Sequence, residues 1–250
     1  MELVSIVVPV YNAAAYLNRT LEAVQRQSFP DWELLLVDDH SEDESVRMIA
    51  DAARKDARIR LLSQREGVKG AANARNLGTR QARGRYLAFL DADDVWRPDK
   101  LELELAFLKE KEAAFVFTSY EFGDENGVGT GKVVHVPGRL SYRQALSRTV
   151  IFTSTVLFDR EKIDKDLLQM PDVASEDTAC WWQILRAGHT AWGLDENLTV
   201  YRRPARSLSS NKGKAIARIW ALYRRREGLS VPSAARYFCL WAIRATLRRL

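Results

Sequence analysis

The 250-residue chain predicts an α/β fold built on a doubly wound, mostly parallel sheet. Three observations carry that prediction. Apolar runs of strand length (residues 3–9, 33–37, 59–63 and 85–90) alternate with helix-period segments. The first of these runs is too uniformly apolar for a strand with one wet face, which marks it as a central strand covered on both sides. Three of the runs end on residues with chemistry to offer, namely Pro9-Val10-Tyr11-Asn12, Asp38-Asp39 and Asp91-Ala92-Asp93-Asp94. In an open parallel sheet, ligands bind beyond those carboxyl ends.

Between the strands, Leu17, Leu21 and Val24 share one helical face. Ser41 and Glu44 have capping-box spacing, predicting a helix that runs to about residue 54. A third helix is expected over 71–83. In the second half Asp99 caps a helix with Leu101, Leu105 and Leu108 turned inward, followed by a strand over 114–122. Residues 124–131, with three Gly and an Asn among them, read as a turn or mobile loop. Short strands at 155–158 and 198–202 flank a helix over 177–187 that Gly188 closes. Two basic helices, about 209–227 and 233–249, are separated by Gly228 and Pro232.

Hydrophobic residues make up 46% of the chain, enough for one substantial core. Cys180 and Cys239 stand far apart without disulfide or zinc spacing, which fits a reducing cytosol. The start at Met1-Glu2-Leu3-Val4 has no basic leader, and no apolar run has membrane-spanning length. The net charge of +5 conceals an asymmetry. From Arg202 onward there are 13 Lys or Arg against one acid, Glu227, for +12, while the preceding 201 residues carry −7. A basic tail on an acidic body points to a polyanionic partner, either anionic lipid or nucleic acid.

The carboxylates after residue 90 carry the strongest chemical signal. Alternation along an extended segment would put Asp91 and Asp93 on one side. Like charges so placed call for a cation between them. A hard divalent ion shared with a phosphate meets that need. With no Gly-x-Gly-x-x-Gly and no Gly-x-x-x-x-Gly-Lys-Ser/Thr, neither a dinucleotide fold nor a P-loop is expected. Tyr11 could stack on a nucleobase while Asp39 accepts from a ring N–H, and Lys69 and Arg75 could help with phosphate charge. Ser175-Glu176-Asp177 opens a helix ahead of Trp181-Trp182. An acid there either stabilises the helix N-terminus or serves as a general base.

These motifs, joined by Ala74-Arg75-Asn76-Leu77-Gly78 with Gly67 before it, and by Tyr201-Arg202 with Ser207-Leu208-Ser209, resemble those of glycosyltransferase family 2. The resemblance covers about residues 3 to 211, in the family's order, and is strongest to capsule and exopolysaccharide enzymes. It implies a GT-A, Rossmann-like sheet with a smaller mixed acceptor-side region and C-terminal basic helices. By the same resemblance residues 1–206 form the transferase domain (1–98 the nucleotide-sugar half, 99–206 the acceptor half), and residues 207–250 form a basic helical region. Pro9, Tyr11 and Asp39 would line the nucleoside pocket, with Asp91 facing the ribose or sugar and Arg75 near the donor. Asp93, with Asp91, would hold Mn²⁺ or Mg²⁺, and Asp177 would be the catalytic base. Asp38 and Asp94 would orient loops. Many members place a histidine where this chain has Pro204, and Arg203 or Arg206 is the substitute considered for it, Arg206 being taken as a donor-binding residue. The implied reaction is inverting transfer of a sugar, with UDP as the expected carrier, to a hydroxyl of a saccharide or a polyprenyl-diphosphate-linked saccharide. The setting implied is the cytoplasmic face of the membrane, with the basic helices on anionic lipid and no nucleic acid. A homodimer is left open.

Two rivals make distinct predictions. A sugar-1-phosphate nucleotidyltransferase would carry a Gly-rich basic loop near the N-terminus, whereas this loop reads Tyr11-Asn12-Ala13-Ala14-Ala15-Tyr16. A non-catalytic nucleotide- or nucleic-acid-binding module would explain the tail but leaves the carboxylate cluster without purpose.

Overall fold

The computed structural model describes residues 2–64, 68–202 and 212–247. Its elements in chain order are β1 (Val4–Val10), α1 (Ala14–Gln25), β2 (Trp32–Asp38), α2 (Ser45–Lys55), β3 (Ile59–Ser63), α3 (Ala71–Gln81), β4 (Tyr86–Phe89), β5 (Val95–Trp96), α4 (Lys100–Glu110) and β6 (Phe115–Gly123). They continue with β7 (Gly129–Val134), β8 (Arg139–Leu140), α5 (Tyr142–Ala145), β9 (Val156–Asp159), α6 (Glu176–Arg186), β10 (Ala191–Arg202), α7 (Lys212–Ala221) and α8 (Val231–Leu247). A π-helical turn, Leu222–Arg226, follows α7.

One sheet runs β3-β2-β1-β4-β9-β6-β10-β5, with β7 on β6 and β8 on β10. The first four strands are parallel, as their apolar runs predict. β9 then enters antiparallel between β4 and β6, so the second half is mixed. Period-2 alternation sorts the side chains of the parallel strands into two cores, one on each face. Val4, Ile6, Val8 and Val10 pack with Leu34 and Leu36 under α1 and α4. Val7, Leu35, Val37, Leu87 and Phe89 face the other way, toward Trp181 and Trp182 of α6. Gly78 of α3 lies directly on Val7, where an added Cβ would come within 2.3 Å of a methyl carbon.

Several local expectations are corrected. Ser41 and Glu44 form no capping box; α2 starts at Ser45 without a side-chain cap bond from Glu44. The Ser41 hydroxyl instead accepts from Asn12 N–H at 3.1 Å, and Asp43 accepts from Ala14 N–H at 3.0 Å. The loop after β2 is therefore committed to the loop after β1 and the start of α1. Asp99 occupies the N-cap position of α4, but its carboxylate is taken by Arg97 at 2.7 and 3.1 Å. Part of the segment read as a loop over 124–131 is strand, because β7 folds back on β6. The strand expected at 198–202 is the end of the twelve-residue β10.

The basic C-terminal helices share the main core. Ile219, Leu222, Tyr223 and Ala234 are buried in it, and Tyr223 stacks on Trp182 at 5.3 Å. Glu227, buried, accepts from Tyr142 Oη at 2.5 Å and from Arg186 at 2.8 Å.

In α4, Lys100 and Glu104 form a fully buried ion pair at 2.5 Å, with the ammonium 4.3 Å from the Trp96 ring centroid. Burial lowers the Lys100 pKa and raises that of Glu104 to about 7, each against its partner's charge. Removing one member leaves the other charge buried and unpaired. Lys100→Met should therefore cost about 3–5 kcal/mol in denaturant unfolding, and pairing it with Glu104→Leu should restore most of the loss.

Candidate active site

The strands β1, β2 and β4 end at the same rim, and a cavity of about 340 Å³ opens there. Its walls include Pro9, Tyr11, Asp39, Arg75, Asp91 and Asp93, drawn from four separate segments. Of the residues expected to hold a nucleotide-sugar, only Arg206 is not among them, and it lies outside the described residues, as do Arg203 and Pro204.

Two left-handed residues let the strand ends turn sharply, Asn12 at φ 47° and His40 at φ 65°. Asn12 tolerates that conformation and uses its amide oxygen to accept from Glu42 N–H at 2.8 Å. Asp39 follows β2 and is buried. Its two oxygens accept from Gly70 N–H at 2.9 and 3.1 Å, which fixes the carboxylate against the start of α3. Asp38 sits beneath and accepts from Ser41 N–H at 3.1 Å, a loop-orienting contact. Tyr11 is 49% exposed, with the Lys69 ammonium 3.7 Å from its ring centroid.

The acidic cluster differs from its expected form. β4 stops at Phe89, and residues 91–94 close a turn in which Asp94 N–H donates to Asp91 C=O at 3.1 Å. Side chains on a turn do not alternate as on a strand, so the three carboxylates diverge. Asp91 pairs with Arg75 Nη2 at 2.6 Å. Asp93 pairs with Arg202 Nη2 at 3.1 Å. Asp94 turns inward, accepting from Ser154 Oγ at 2.6 Å and Arg202 N–H at 3.1 Å. Protein cations thus already compensate the crowding for which a metal alone was expected. Burial, then the charge on Asp91, push the Asp93 carboxyl above its ordinary value despite Arg202. The same causes, with Asp93 added, raise Asp94 further.

Arg75 joins this rim to the second half of the chain. Its guanidinium is buried, bonding Asp91 on one side and Glu176 Oε1 at 2.9 Å on the other. Burial disfavours its charge, but the two carboxylates more than offset that and raise its pKa. Asp177, next in α6, lies outside the cavity wall. It accepts from Thr178 N–H at 2.6 Å and from Thr153 Oγ1 at 3.3 Å. Burial, then the Glu176 charge, raise its pKa.

Sequence reading gave no site role to Tyr16 or Arg202. Arg202 was visible only as half of a Tyr-Arg motif, 109 residues from the Asp93 it meets. Its guanidinium lies 3.3 Å from the Tyr16 ring centroid. A charged residue ending an apolar strand was the available signal.

Among the described residues no three His, Cys, Asp or Glu side chains gather into a metal-binding group. What the rim offers is one or two hard carboxylate oxygens, since Asp93 remains 35% exposed beside its arginine. That donor set suits Mg²⁺ or Mn²⁺, which take few protein ligands and complete their shells with phosphate and water.

The mixed α/β sheet, with a carboxylate-lined cavity at its strand ends, is a GT-A fold. Solved structures sharing the fold include Staphylococcus aureus TarS 1–349 in complex with UDP-GlcNAc (TM-score 0.68, 19% identity, covering 97% of this chain and 72% of that one). Another is the mannosyltransferase PcManGT of Pyrobaculum calidifontis in complex with GDP-Man and Mn²⁺ (TM-score 0.69, 21% identity, 95% and 68%). Residues 5–167 match the glycosyl transferase family 2 model, and the chain belongs to that family. It is 41% identical over 249 residues (99% of this chain, 98% of the relative) to TuaG of Bacillus subtilis strain 168, a glycosyltransferase named for teichuronic acid biosynthesis. It is 35% identical over 219 residues (87% and 84%) to WfgD of Escherichia coli, named as a UDP-Glc:alpha-D-GlcNAc-diphosphoundecaprenol beta-1,3-glucosyltransferase.

Proposed function

We propose that this glycosyltransferase moves a sugar, with inversion, from a UDP-linked donor to a hydroxyl of a polyprenyl-diphosphate-linked saccharide in cell-surface polysaccharide synthesis. The observation that carries the reading is the convergence of Pro9, Tyr11, Asp39, Arg75, Asp91 and Asp93 on one cavity, with Asp177 tied to its edge through Arg75 and Glu176. The relatives named for teichuronic acid and for a diphosphoundecaprenol acceptor support the acceptor class.

In this reading Tyr11 offers its ring to the uracil, and the remaining lone pairs of Asp39 accept a base N–H. Asp93, with Asp91, would hold the divalent ion. When bound, that ion supplies Lewis-acid stabilisation of charge developing on the leaving diphosphate, worth several kcal/mol. Arg75 keeps Asp91 turned toward the donor sugar and holds the start of α6. Asp177 takes the proton from the acceptor hydroxyl as it attacks the anomeric carbon on the face opposite the diphosphate, giving inversion. Residues 150–155 and 171–176, beside Asp177, are the segments whose shape selects the sugar.

The tail supplies a surface for the lipid carrier. Ile216, Trp220, Leu240 and Ile243 are exposed among Arg224, Arg225 and Arg236, a pattern suited to an anionic leaflet. Among the described residues no helix is long and apolar enough to cross a membrane. The enzyme is placed by this reading as a peripheral protein on the inner face of the cytoplasmic membrane.

Asp177→Asn should lower turnover of UDP-sugars by about 10²–10⁴-fold while donor affinity stays near native; retained turnover contradicts the base assignment. In the native enzyme kcat should fall as pH drops through a pKa above the ordinary carboxylate range. Glu176→Gln removes a neighbouring negative charge, so that acid limb should move to lower pH. In vesicle sedimentation the protein should bind anionic vesicles more tightly than neutral ones and lose that preference as salt rises. Equal affinity for both excludes the electrostatic form of membrane docking.

A further inference from the structure

Arg202 is an unusual side chain to find beside a carboxylate that is to hold a divalent ion. It is 6% exposed, and its guanidinium lies against Tyr16, bonds Asp93 at 3.1 Å and donates to Glu125 C=O at 3.3 Å. Its Nε is buried with no partner among the described residues. Its own backbone N–H is pinned to Asp94, so the base of the side chain is fixed while the head has a spare donor. Behind the Asp93–Arg202 pair lies a second cavity of about 170 Å³, bordered by Tyr16, Arg19, Val95, Glu125 and Asn126. Asp93 and Tyr16 border both cavities.

The charges around the rim nearly balance: Arg75 answers Asp91, and Arg202 answers Asp93. A divalent cation arriving alone at Asp93 would bring two positive charges beside a guanidinium that desolvation has left poorly screened. A diphosphate arriving with it supplies the anion that the excess calls for.

We propose that Arg202 is the reserve cation of the donor site: it neutralises Asp93 in the free enzyme, keeps a lone divalent ion off that carboxylate, and gives its charge to the diphosphate once metal and nucleotide bind together. This rests on the metal-assisted reading above and adds a positioning and selectivity role that the acidic motif does not contain. It predicts that Arg202 affects metal alone and metal with nucleotide in opposite directions, which a merely structural residue would not do.

The test measures Mn²⁺ binding by electron paramagnetic resonance and UDP binding by calorimetry on the full chain, each ligand alone and together. Arg202→Gln should bind Mn²⁺ alone about tenfold or more tightly than native, from the Coulomb repulsion removed, yet bind UDP with Mn²⁺ more weakly. Arg202→Lys, which keeps the charge, should restore exclusion of Mn²⁺ alone. Independently, Asp93→Asn should free Arg202 and raise metal-free UDP affinity above that of the native protein. Mn²⁺-alone affinity unchanged or reduced in Arg202→Gln, or metal-free UDP affinity unchanged in Asp93→Asn, overturns the proposal. Native protein that binds no UDP with Mn²⁺ overturns the donor-site reading itself, so the two failures are distinct.

Discussion

Three carboxylates within four residues, set at the end of a buried strand, have to be compensated before anything else at this site is possible. Asp91, Asp93 and Asp94 meet that demand by diverging on a turn, each toward a different partner. Arg75 and Arg202 are themselves buried, so each guanidinium needs an anionic partner at the rim. Arg75 brings α3 and the start of α6 to the rim, and Arg202 brings the last residue of β10 and, through Tyr16, the first turn of α1. Ser154, at the turn before β9, holds the acid that faces inward. The compensation of one turn therefore gathers five segments from across the chain.

That arrangement also separates two tasks. Asp91 and Arg75 hold Glu176, next to the carboxylate read as the base. Asp93 borders both the strand-end cavity and the second one, where Arg202 joins it. Burial raises the pKa of both Asp93 and Asp177, by itself more than any single neighbour does. A carboxylate whose proton affinity is raised accepts a proton from a hydroxyl more readily, and the Asp91 charge that helps raise Asp93 also favours a cation there, for which a proton would compete.

Much of this was legible before the structure, and the reasons are specific. The uniform apolarity of residues 3–9 and the strand-length runs after it marked the parallel half, since strands covered on both faces leave no room for polar alternation. The residues that line the cavity were legible because strand ends converge in an open sheet whatever the loops do. What the sequence could not convey was long-range charge pairing. Asp91 and Asp93 were expected side by side on an extended segment, but the chain turns after Phe89 and sends them to arginines 16 and 109 residues away. Ser41 and Glu44 had the spacing of a capping box, yet the neighbouring loop claims the Ser41 hydroxyl for Asn12. The basic tail read as an appendage, whereas Tyr223 and Glu227 bind it into the main core by stacking and buried hydrogen bonds.

The central claim is that the rim formed by Tyr11, Asp39, Asp91 and Asp93 is a metal-assisted uridine diphosphate site. Calorimetric titration of UDP, set against GDP, CMP and dTDP, with and without Mn²⁺, tests it most directly in the native protein and in Asp93→Ala. The account predicts preferential UDP binding that Mn²⁺ strengthens, with the Mn²⁺-dependent gain lost in the variant. Absence of nucleotide binding under every condition, or a Mn²⁺ gain that survives in Asp93→Ala, would contradict it.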